Sequence, residues 1–258
     1  MIMRKTILLA LLAWPLLTSA AQGLDLKLIT DGYYAPENIS GVVPTDGESY
    51  TQLSDDFQRV VRRSFKTGKE METLFDVSTA TGAKLKAISG YVMSPDGKRM
   101  LVQTNREAIY RHSFTADYYI YTFASRKLVP LSKNGAQQTP LFSPDGTVIA
   151  FVRDNNIFLV KLLYDNAESQ VTKDGKKNEI INGIPDWVNE EEFGNNTAMV
   201  FTADSKQLVW VRYDEHAVKE YSMPLYKGLS PEREEYGEYP GAYTYKYPVA
   251  GADNAQCT

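Results

Sequence analysis

Two stretches of the sequence are near-copies of each other: Tyr91-Val92-Met93-Ser94-Pro95-Asp96-Gly97-Lys98-Arg99-Met100-Leu101-Val102 and Leu141-Phe142-Ser143-Pro144-Asp145-Gly146-Thr147-Val148-Ile149-Ala150-Phe151-Val152. In each stretch an Asp-Gly turn separates a short apolar segment from a longer one. Glycine tolerates the positive φ angles of tight hairpin turns, and the apolar segments have the composition of strands. Each stretch therefore predicts a β-hairpin, and the repetition predicts an architecture built from one repeating unit.

The same pattern occurs four times along the chain. Its turns are predicted at Asp46-Gly47, Asp96-Gly97, Asp145-Gly146 and, in a degraded form, Asp204-Ser205. A third strand is predicted after each hairpin, at 59–65, 117–123, 157–162 and 218–223, and turn residues that would lead into a fourth strand follow it. Four strands in roughly 40 to 50 residues are typical of a propeller blade. The sequence therefore predicts an all-β fold, an incomplete β-propeller of about four four-stranded blades, with about ten surplus residues in the last interval.

The surplus residues contain an acidic run, Asp186-Trp187-Val188-Asn189-Glu190-Glu191-Glu192-Phe193. Asp186 can cap a helix that begins after it, so the run predicts a short helical insertion that carries the glutamates. On one interpretation the glutamates form a solvated first helical turn, stabilised by the helix dipole. On the other, adjacent like charges beside Trp187 and Phe193, in a partly buried setting, repel until a cationic ligand binds. A peptide α-amine suits this second interpretation, because its three donors can be shared by two carboxylates.

Composition and the amino-terminal residues narrow the function classes. The 258 residues are 43% apolar and 12% aromatic, enough for a large core. The net charge is -4 and the basic residues form no continuous stripe, which argues against a nucleic-acid partner. Residues 1–21 contain basic residues, then a short apolar run, then small residues, which is the pattern of a signal peptide. The apolar run is too short for a membrane anchor, so we predict a signal peptide. We expect an exported protein, periplasmic or secreted, with no membrane span after signal removal.

The side chains needed for catalysis or cofactor binding are scarce. Cys257 is the only cysteine, so neither a disulfide framework nor a thiolate metal site is available. His112 and His216 are the only histidines, and there is no Gly-x-Ser-x-Gly elbow. No glycine-rich phosphate-binding loop opens a helix. We therefore predict no catalytic residues, no metal site and no cofactor in this chain, and binding chemistry is what remains.

A second polar run, Tyr110-Arg111-His112-Ser113-Phe114-Thr115-Ala116, lies in the second repeat. From the residues alone, Arg111 could be an ordinary loop arginine that pairs with a surface carboxylate. Together with the acidic run, this second run resembles the dipeptidyl peptidase IV family of serine exopeptidases, whose members carry Arg-His-Ser-(Tyr/Phe)-Thr-Ala and Asp-Trp-Val-x-Glu-Glu-Glu in this order. The resemblance implies that Glu191 and Glu192 bind the amino group of a peptide substrate. It also implies that Arg111 binds a substrate carbonyl, and that Glu190 supports the other two glutamates.

The same resemblance implies a larger enzyme, in which an eight-bladed propeller sits over an α/β-hydrolase domain and releases Xaa-Pro or Xaa-Ala dipeptides. Residues 22–258 would be a partial propeller, about four blades of the eight. The hydrolase domain and its Ser, Asp and His would be absent, so this chain would be inactive alone. Residues 225–247 would begin an arm that supports a homodimer of the full-length enzyme. The alternative is a non-catalytic periplasmic propeller that serves as a binding or scaffold module.

Overall fold

The computed structural model describes residues 25–36, 41–229 and 232–258 of the chain. The chain divides into two compact units, residues 1–41 and residues 42–258. In the first unit, the short helix α1 (Leu26–Thr30) is capped by Asp25, whose side chain accepts the Lys27 backbone N–H. The predicted signal peptide lies outside the described residues. No helix in the described ranges is long and apolar enough to cross a membrane.

The second unit begins with three successive antiparallel meanders. The first contains β1 (Val43–Pro44), β2 (Ser49–Leu53), β3 (Arg59–Ser64) and β4 (Glu70–Asp76). The second contains β5 (Thr81–Gly82), β6 (Gly90–Met93), β7 (Arg99–Ala108), β8 (Phe114–Thr122) and β9 (Lys127–Pro130), with β5 parallel to β9 at the edge. The third contains β10 (Gln138–Phe142), β11 (Val148–Arg153), β12 (Asn156–Lys161) and β13 (Ala167–Gln170). The all-β prediction is confirmed, and four-stranded meanders of this kind are the unit of propeller blades.

The remainder of the unit departs from the repeat. It contains β14 (Ile180–Asn182), helix α2 (Trp187–Phe193), β15 (Met199–Phe201), β16 (Leu208–Trp210), β17 (Arg212–Asp214), β18 (Glu220–Leu225), the 3-10 helix η1 (Glu234–Tyr236), β19 (Gly241–Lys246) and β20 (Gln256–Cys257). β14, β17 and β20 form one sheet, β15 pairs with β16, and β18 pairs with β19. The number of blades, four in this chain and eight in the whole enzyme, stays a prediction.

The last predicted third strand, at 218–223, is a strand, but it does not belong to a blade-like meander. Strand β18 starts two residues later and pairs along its whole length with β19, from Glu220 opposite Lys246 to Leu225 opposite Gly241. We call this hairpin, residues 220–246, the arm. Because β18 pairs fully with β19, the strand that pairs with β17 is β20 and not β18. The arm therefore begins five residues before the predicted start at Leu225.

Burial on both faces explains why the central strands have continuous apolar sequences. In β11, Ile149 and Phe151 pack with Leu101 of the second meander. Ala150 and Val152, which alternate with them, pack on the opposite side with the β14–β17 region. Since neighbouring side chains of a strand point to opposite faces, the third meander is a middle layer that buries one face against the second meander and the other against the β14–β17 region.

The turn between β6 and β7 and the turn between β10 and β11 share one hydrogen-bond pattern. Ser143 Oγ donates to Asp145 Oδ1, which also accepts the Thr147 backbone N–H at 3.0 Å. In the second meander Ser94 Oγ makes the same bond to Asp96. The aspartate side chain thus accepts hydrogen bonds from polar groups of its own turn, as expected for short polar side chains in turns.

In the first meander the equivalent turn is built by Ser54 and Asp56, so the prediction that placed it at Asp46-Gly47 is wrong. Asp46-Gly47 connects β1 to β2, one hairpin earlier. As a result, the predicted third strand at 59–65 is the second strand of the repeat, β3. The error has a physical cause: Phe57 adopts a φ of 57° at the position that glycine fills in the other turns, so no Asp-Gly pair marks it.

Two equivalent glycines of these turns provide a test of how the meanders pack. Gly97 and Gly146 have φ of +67° and +68°, but a Cβ added to Gly97 meets nothing within 4 Å, whereas one added to Gly146 lies 2.9 Å from the Asp96 carboxyl carbon. We expect Gly97→Ala to lower the free energy of unfolding by about 1 kcal/mol through backbone strain alone. Gly146→Ala adds overpacking and should cost about 2 to 3 kcal/mol. Urea unfolding followed by tryptophan fluorescence measures both, and equal losses would contradict the packing of one turn on the next.

Candidate functional site

Helix α2 carries the three glutamates, and local sequence sets both of its ends. Asp186 has an extended backbone and its side chain accepts the Asn189 backbone N–H at 3.3 Å, which caps the first turn. Gly194 has a φ of 64°, and its N–H donates to the Glu190 carbonyl at the helix end. The helix therefore lies where the capping pattern places it.

The position of Glu191 and Glu192 within α2 bears on the two interpretations of the acidic run. The helix has seven residues, and of its three glutamates only Glu190 belongs to the first turn. Glu191 and Glu192 lie in the last turn, where the helix dipole is unfavourable for negative charge. Phe193 is exposed, so only Trp187 supplies the partly buried setting expected for the run. The helix dipole therefore does not account for Glu191 and Glu192.

The loop between β7 and β8, residues 109–113, carries Arg111. The Ile109 N–H donates to the Ser113 carbonyl at 2.9 Å, and the Tyr110 N–H donates to Ser113 Oγ at 3.2 Å. These two bonds close the loop on itself and leave the Arg111 side chain 74% exposed.

Glu190 joins the helix to this loop. Its Oε1 accepts the His112 N–H at 2.7 Å and the Ser113 N–H at 2.8 Å, across 78 and 77 residues of sequence. Asn196 Nδ2 adds a bond to the His112 carbonyl at 3.2 Å. The Glu190 side chain is 1% exposed, and its Oε2 has no hydrogen-bond partner among the described residues. Two backbone N–H groups that share one buried acceptor oxygen fix the loop to the helix.

Arg111 and Glu191 meet beside the junction. Arg111 Nε lies 2.9 Å from Glu191 Oε2, and the Glu191 side chain is 21% exposed. Glu192 follows directly, is exposed, and has no ion-pair partner within 25–36, 41–229 or 232–258. The structure thus brings two of the three predicted binding residues into direct contact and places the third beside them on the helix.

A cavity of about 450 Å³ lies against α2 and the loop. Asp186, Trp187 and Glu190 line it from the helix region, Tyr110 lines it from the loop, and Glu215 lines it after β17. The three predicted binding residues do not line this cavity. Although several carboxylates do, no group of His, Cys, Asp or Glu side chains in the described part of the chain is placed to hold a metal ion.

Glu215 is a carboxyl group of this cavity with a clearly raised pKa. Burial and then the nearby charge of Asp186 raise its pKa to about 7, against the opposing effect of Lys246. The folded protein therefore holds a proton on Glu215 at a pH where the same residue in the unfolded chain has lost it.

Sequence reasoning missed the junction made by Glu190, and it missed Glu215 entirely. A signal for Glu190 was present, because it follows Trp187 by three residues and so shares the inward face of the helix. Glu215 has no comparable signal, since its burial depends on the packing of segments far apart in sequence.

The raised pKa of Glu215 predicts a pH-dependent stability difference. Between about pH 4.5 and pH 7 the native state binds a proton on Glu215 that the unfolded chain has lost. The free energy of unfolding therefore falls as the pH rises through this window. We expect Glu215→Gln to stabilise the protein by about 2 kcal/mol at pH 8 and to change little at pH 4. Urea unfolding at both pH values measures this, with the exposed Glu238→Gln as control. A gain that is equal at both pH values would contradict the protonation of Glu215.

Comparisons with known proteins agree on one family. The family profile described as dipeptidyl peptidase IV N-terminal region matches residues 94–258. The protein named probable dipeptidyl-aminopeptidase B from Emericella nidulans is 36% identical over 256 residues, which cover 92% of this chain and 28% of that protein. Its namesake from Podospora anserina is 40% identical over 169 residues, 62% of this chain and 18% of that protein.

A solved structure supports the same assignment. The crystal structure of Porphyromonas gingivalis dipeptidyl peptidase 4 matches with a TM-score of 0.81 and 42% identity, over 91% of this chain and 32% of that chain. The matched region is thus at most 32% of any of these three relatives, although it includes most of the residues of this chain. This chain belongs to the dipeptidyl peptidase IV family and contains its amino-terminal region.

Proposed function

We propose that this chain is the substrate-recognition part of an exported serine dipeptidyl peptidase that removes Xaa-Pro or Xaa-Ala dipeptides from peptide amino termini. The observation that carries the proposal is the contact of 2.9 Å between Arg111 Nε and Glu191 Oε2, supported by the bonds of Glu190 to the loop. Structural stability alone gives no reason for Glu192, which has no ion-pair partner among the described residues, to stand at the unfavourable end of a helix dipole.

In this proposal Glu191 and Glu192 hold the α-amine of the substrate. An ammonium group has three donors and a carboxylate only accepts, so two adjacent carboxylates satisfy both its charge and its hydrogen bonds. Arg111 orients Glu191, while Glu192 carries a charge with no partner among the described residues. Arginine has five N–H donors, so a contact to Glu191 leaves donors for a substrate carbonyl.

The clamp formed by Glu191, Glu192 and Arg111 would also set the length of the product. Holding the amine at a constant distance from a nucleophile converts binding energy into one cleavage register. The nucleophile and its partners would come from the remainder of the enzyme, since this chain spans 28% and 32% of two relatives. Residues 1–21 would direct export to the periplasm or the medium, and the arm would contribute to a homodimer.

The clamp residues are tested in the full-length gene product with a Gly-Pro or Ala-Pro anilide. Glu191→Gln and Glu192→Gln each remove one charge that meets the amine, so we expect kcat/KM to fall by at least about 30-fold, which corresponds to about 2 kcal/mol. Arg111→Ala should cost a similar factor, because it removes the carbonyl contact and releases Glu191.

Glu48→Gln is the matched control, because Glu48 is an exposed glutamate without an ion pair in the described residues. It should leave kcat/KM unchanged. The clamp assignment fails if Glu191→Gln and Glu192→Gln stay within a few fold of the unmodified enzyme. A full-length product that binds peptides but cleaves none would favour the non-catalytic binding module.

The junction made by Glu190 predicts a graded response to two substitutions. Glu190→Ala leaves two backbone N–H groups without their acceptor, so we expect a loss of about 3 kcal/mol in the free energy of unfolding and a clear rise in KM. Glu190→Gln keeps an amide oxygen as acceptor, so it should cost about 1 kcal/mol and retain most of the activity. Urea unfolding and steady-state kinetics measure both. Equal effects of the two variants would show that the acceptor oxygen is not what holds the loop.

A further inference from the structure

The arm buries one tyrosine against the site. Along β19 only Tyr245 is buried, at 7% exposure, whereas Tyr243 and Thr244 are exposed. Its partner on β18 is Tyr221, which is also exposed. One ring of the arm therefore points into the protein, while the rest of the strand faces solvent.

Tyr245 lies between the two segments that carry the clamp. Its ring centroid is 5.7 Å from that of Tyr110 and 5.8 Å from that of Trp187. Tyr247 strengthens the same contact, with its ring 4.3 Å from Trp187 and 5.7 Å from Tyr245 in an edge-to-face arrangement. Aromatic pairs at these separations and angles attract each other beyond their simple burial. We call Tyr110, Trp187, Tyr245 and Tyr247 the aromatic wedge.

The partners of Tyr245 are the immediate neighbours of the clamp. Tyr110 directly precedes Arg111, and Trp187 is the first residue of α2, which carries Glu191. Burial is the main cause that raises the pKa of Tyr245, and the Glu191 carboxylate is close enough to contribute. The loop is therefore fixed on both sides of Arg111, by Glu190 on one side and by the aromatic wedge on the other.

The hydroxyl group of Tyr245 makes no hydrogen bond within the described ranges, so its contacts belong to the ring. The ring of Tyr245 contacts four other rings: Tyr243 and Tyr247 from its own segment, Tyr110 from the loop and Trp187 from the helix. A ring held in this way leaves few ways for the loop and the helix to move apart. Loss of the ring would free Tyr110 and Trp187 from each other while the bonds of Glu190 remain. The expected consequence is a wider range of distances between Arg111 and Glu191.

We propose that Tyr245 of the arm is a positioning residue, which sets the separation of Arg111 and Glu191 through Tyr110 and Trp187. This inference rests on the proposed function, because it concerns the same clamp. Tyr245 acts through its neighbours and contacts no substrate. In this proposal the arm contributes Tyr245 to the support of the recognition site.

The test compares Tyr245→Ala, Tyr245→Phe and Tyr239→Ala in the full-length enzyme with an Ala-Pro anilide. A clamp that binds ground state and transition state alike affects KM, so Tyr245→Ala should raise KM about tenfold and keep kcat within about threefold. Tyr245→Phe keeps the ring and should stay within about twofold of the unmodified enzyme. Tyr239 lies on the same arm and is 79% exposed, so Tyr239→Ala should change neither constant.

A double-substitution cycle separates positioning from general support of the fold. When Glu191→Gln has already broken the clamp, adding Tyr245→Ala should cost less than about twofold, because both changes act on one unit. The inhibition constant of the product dipeptide Ala-Pro reports binding without chemistry and should rise with KM. Tyr245→Leu keeps apolar volume at the site, and should show the same rise in KM if Tyr245→Ala yields no folded enzyme.

Two results would overturn the inference. One is an equal loss from Tyr245→Ala in the unmodified and Glu191→Gln backgrounds; the other is a fall in kcat with unchanged KM in both the Ala and Leu variants. The proposed function is tested by a separate result. If Glu191→Gln alone has no effect, the clamp itself is wrong, whereas if it lowers kcat/KM and the Tyr245 variants keep the original KM, only the positioning role is wrong.

Discussion

The geometry of the site depends on one buried oxygen, Glu190 Oε1, which accepts two consecutive backbone N–H groups of the β7–β8 loop. The loop belongs to the second meander and α2 lies between β14 and β15, so these bonds join parts of the chain that share no strand pairing. Backbone donors are fixed by the conformation of the loop, and one oxygen that accepts both leaves the helix little freedom to turn. The contact between Arg111 and Glu191 is possible because this junction holds their segments side by side.

The junction is effective because the sheets below it are held on both faces. The second meander packs one side against the first and the other against the third, and the third packs its two sides against the second and the β14–β17 region, so neither can shift alone. The exit of the loop is tied across meanders as well: the Ala116 N–H donates to the Gln137 carbonyl at 3.0 Å, and the Tyr118 N–H donates to Gln137 Oε1 at 3.1 Å. A loop on such a scaffold can hold its side chains in place without the flexibility that loops usually have.

The parts of this architecture that follow from sequence are those that depend on local spacing. The Ser-Pro-Asp-Gly turns, the doubly buried strands and the cap at Asp186 are decided by residues a few positions apart. The first turn was missed because Phe57 adopts a glycine-like backbone angle, which no pattern signals. The strand at 218–223 was given the wrong partner, since strand propensity does not specify pairing. Glu190 and Tyr245 act on segments that only the fold brings together. The family resemblance assigned Arg111 and Glu191 to one binding site, but neither the resemblance nor the spacing predicted the ion pair between them.

Three consecutive glutamates on a seven-residue helix repel one another, and the structure treats each of them differently. The carboxyl group of Glu190 is buried and accepts two N–H groups, and the carboxylate of Glu191 meets a guanidinium group. Glu192 has no such partner in the described chain and stands at the end of the helix where the dipole adds to the repulsion. The uncompensated charge is therefore that of Glu192, one of the two residues that the proposed function assigns to the amine. A cation that arrives there relieves a repulsion already present in the free protein, so binding requires neither carboxylate to be brought in from elsewhere.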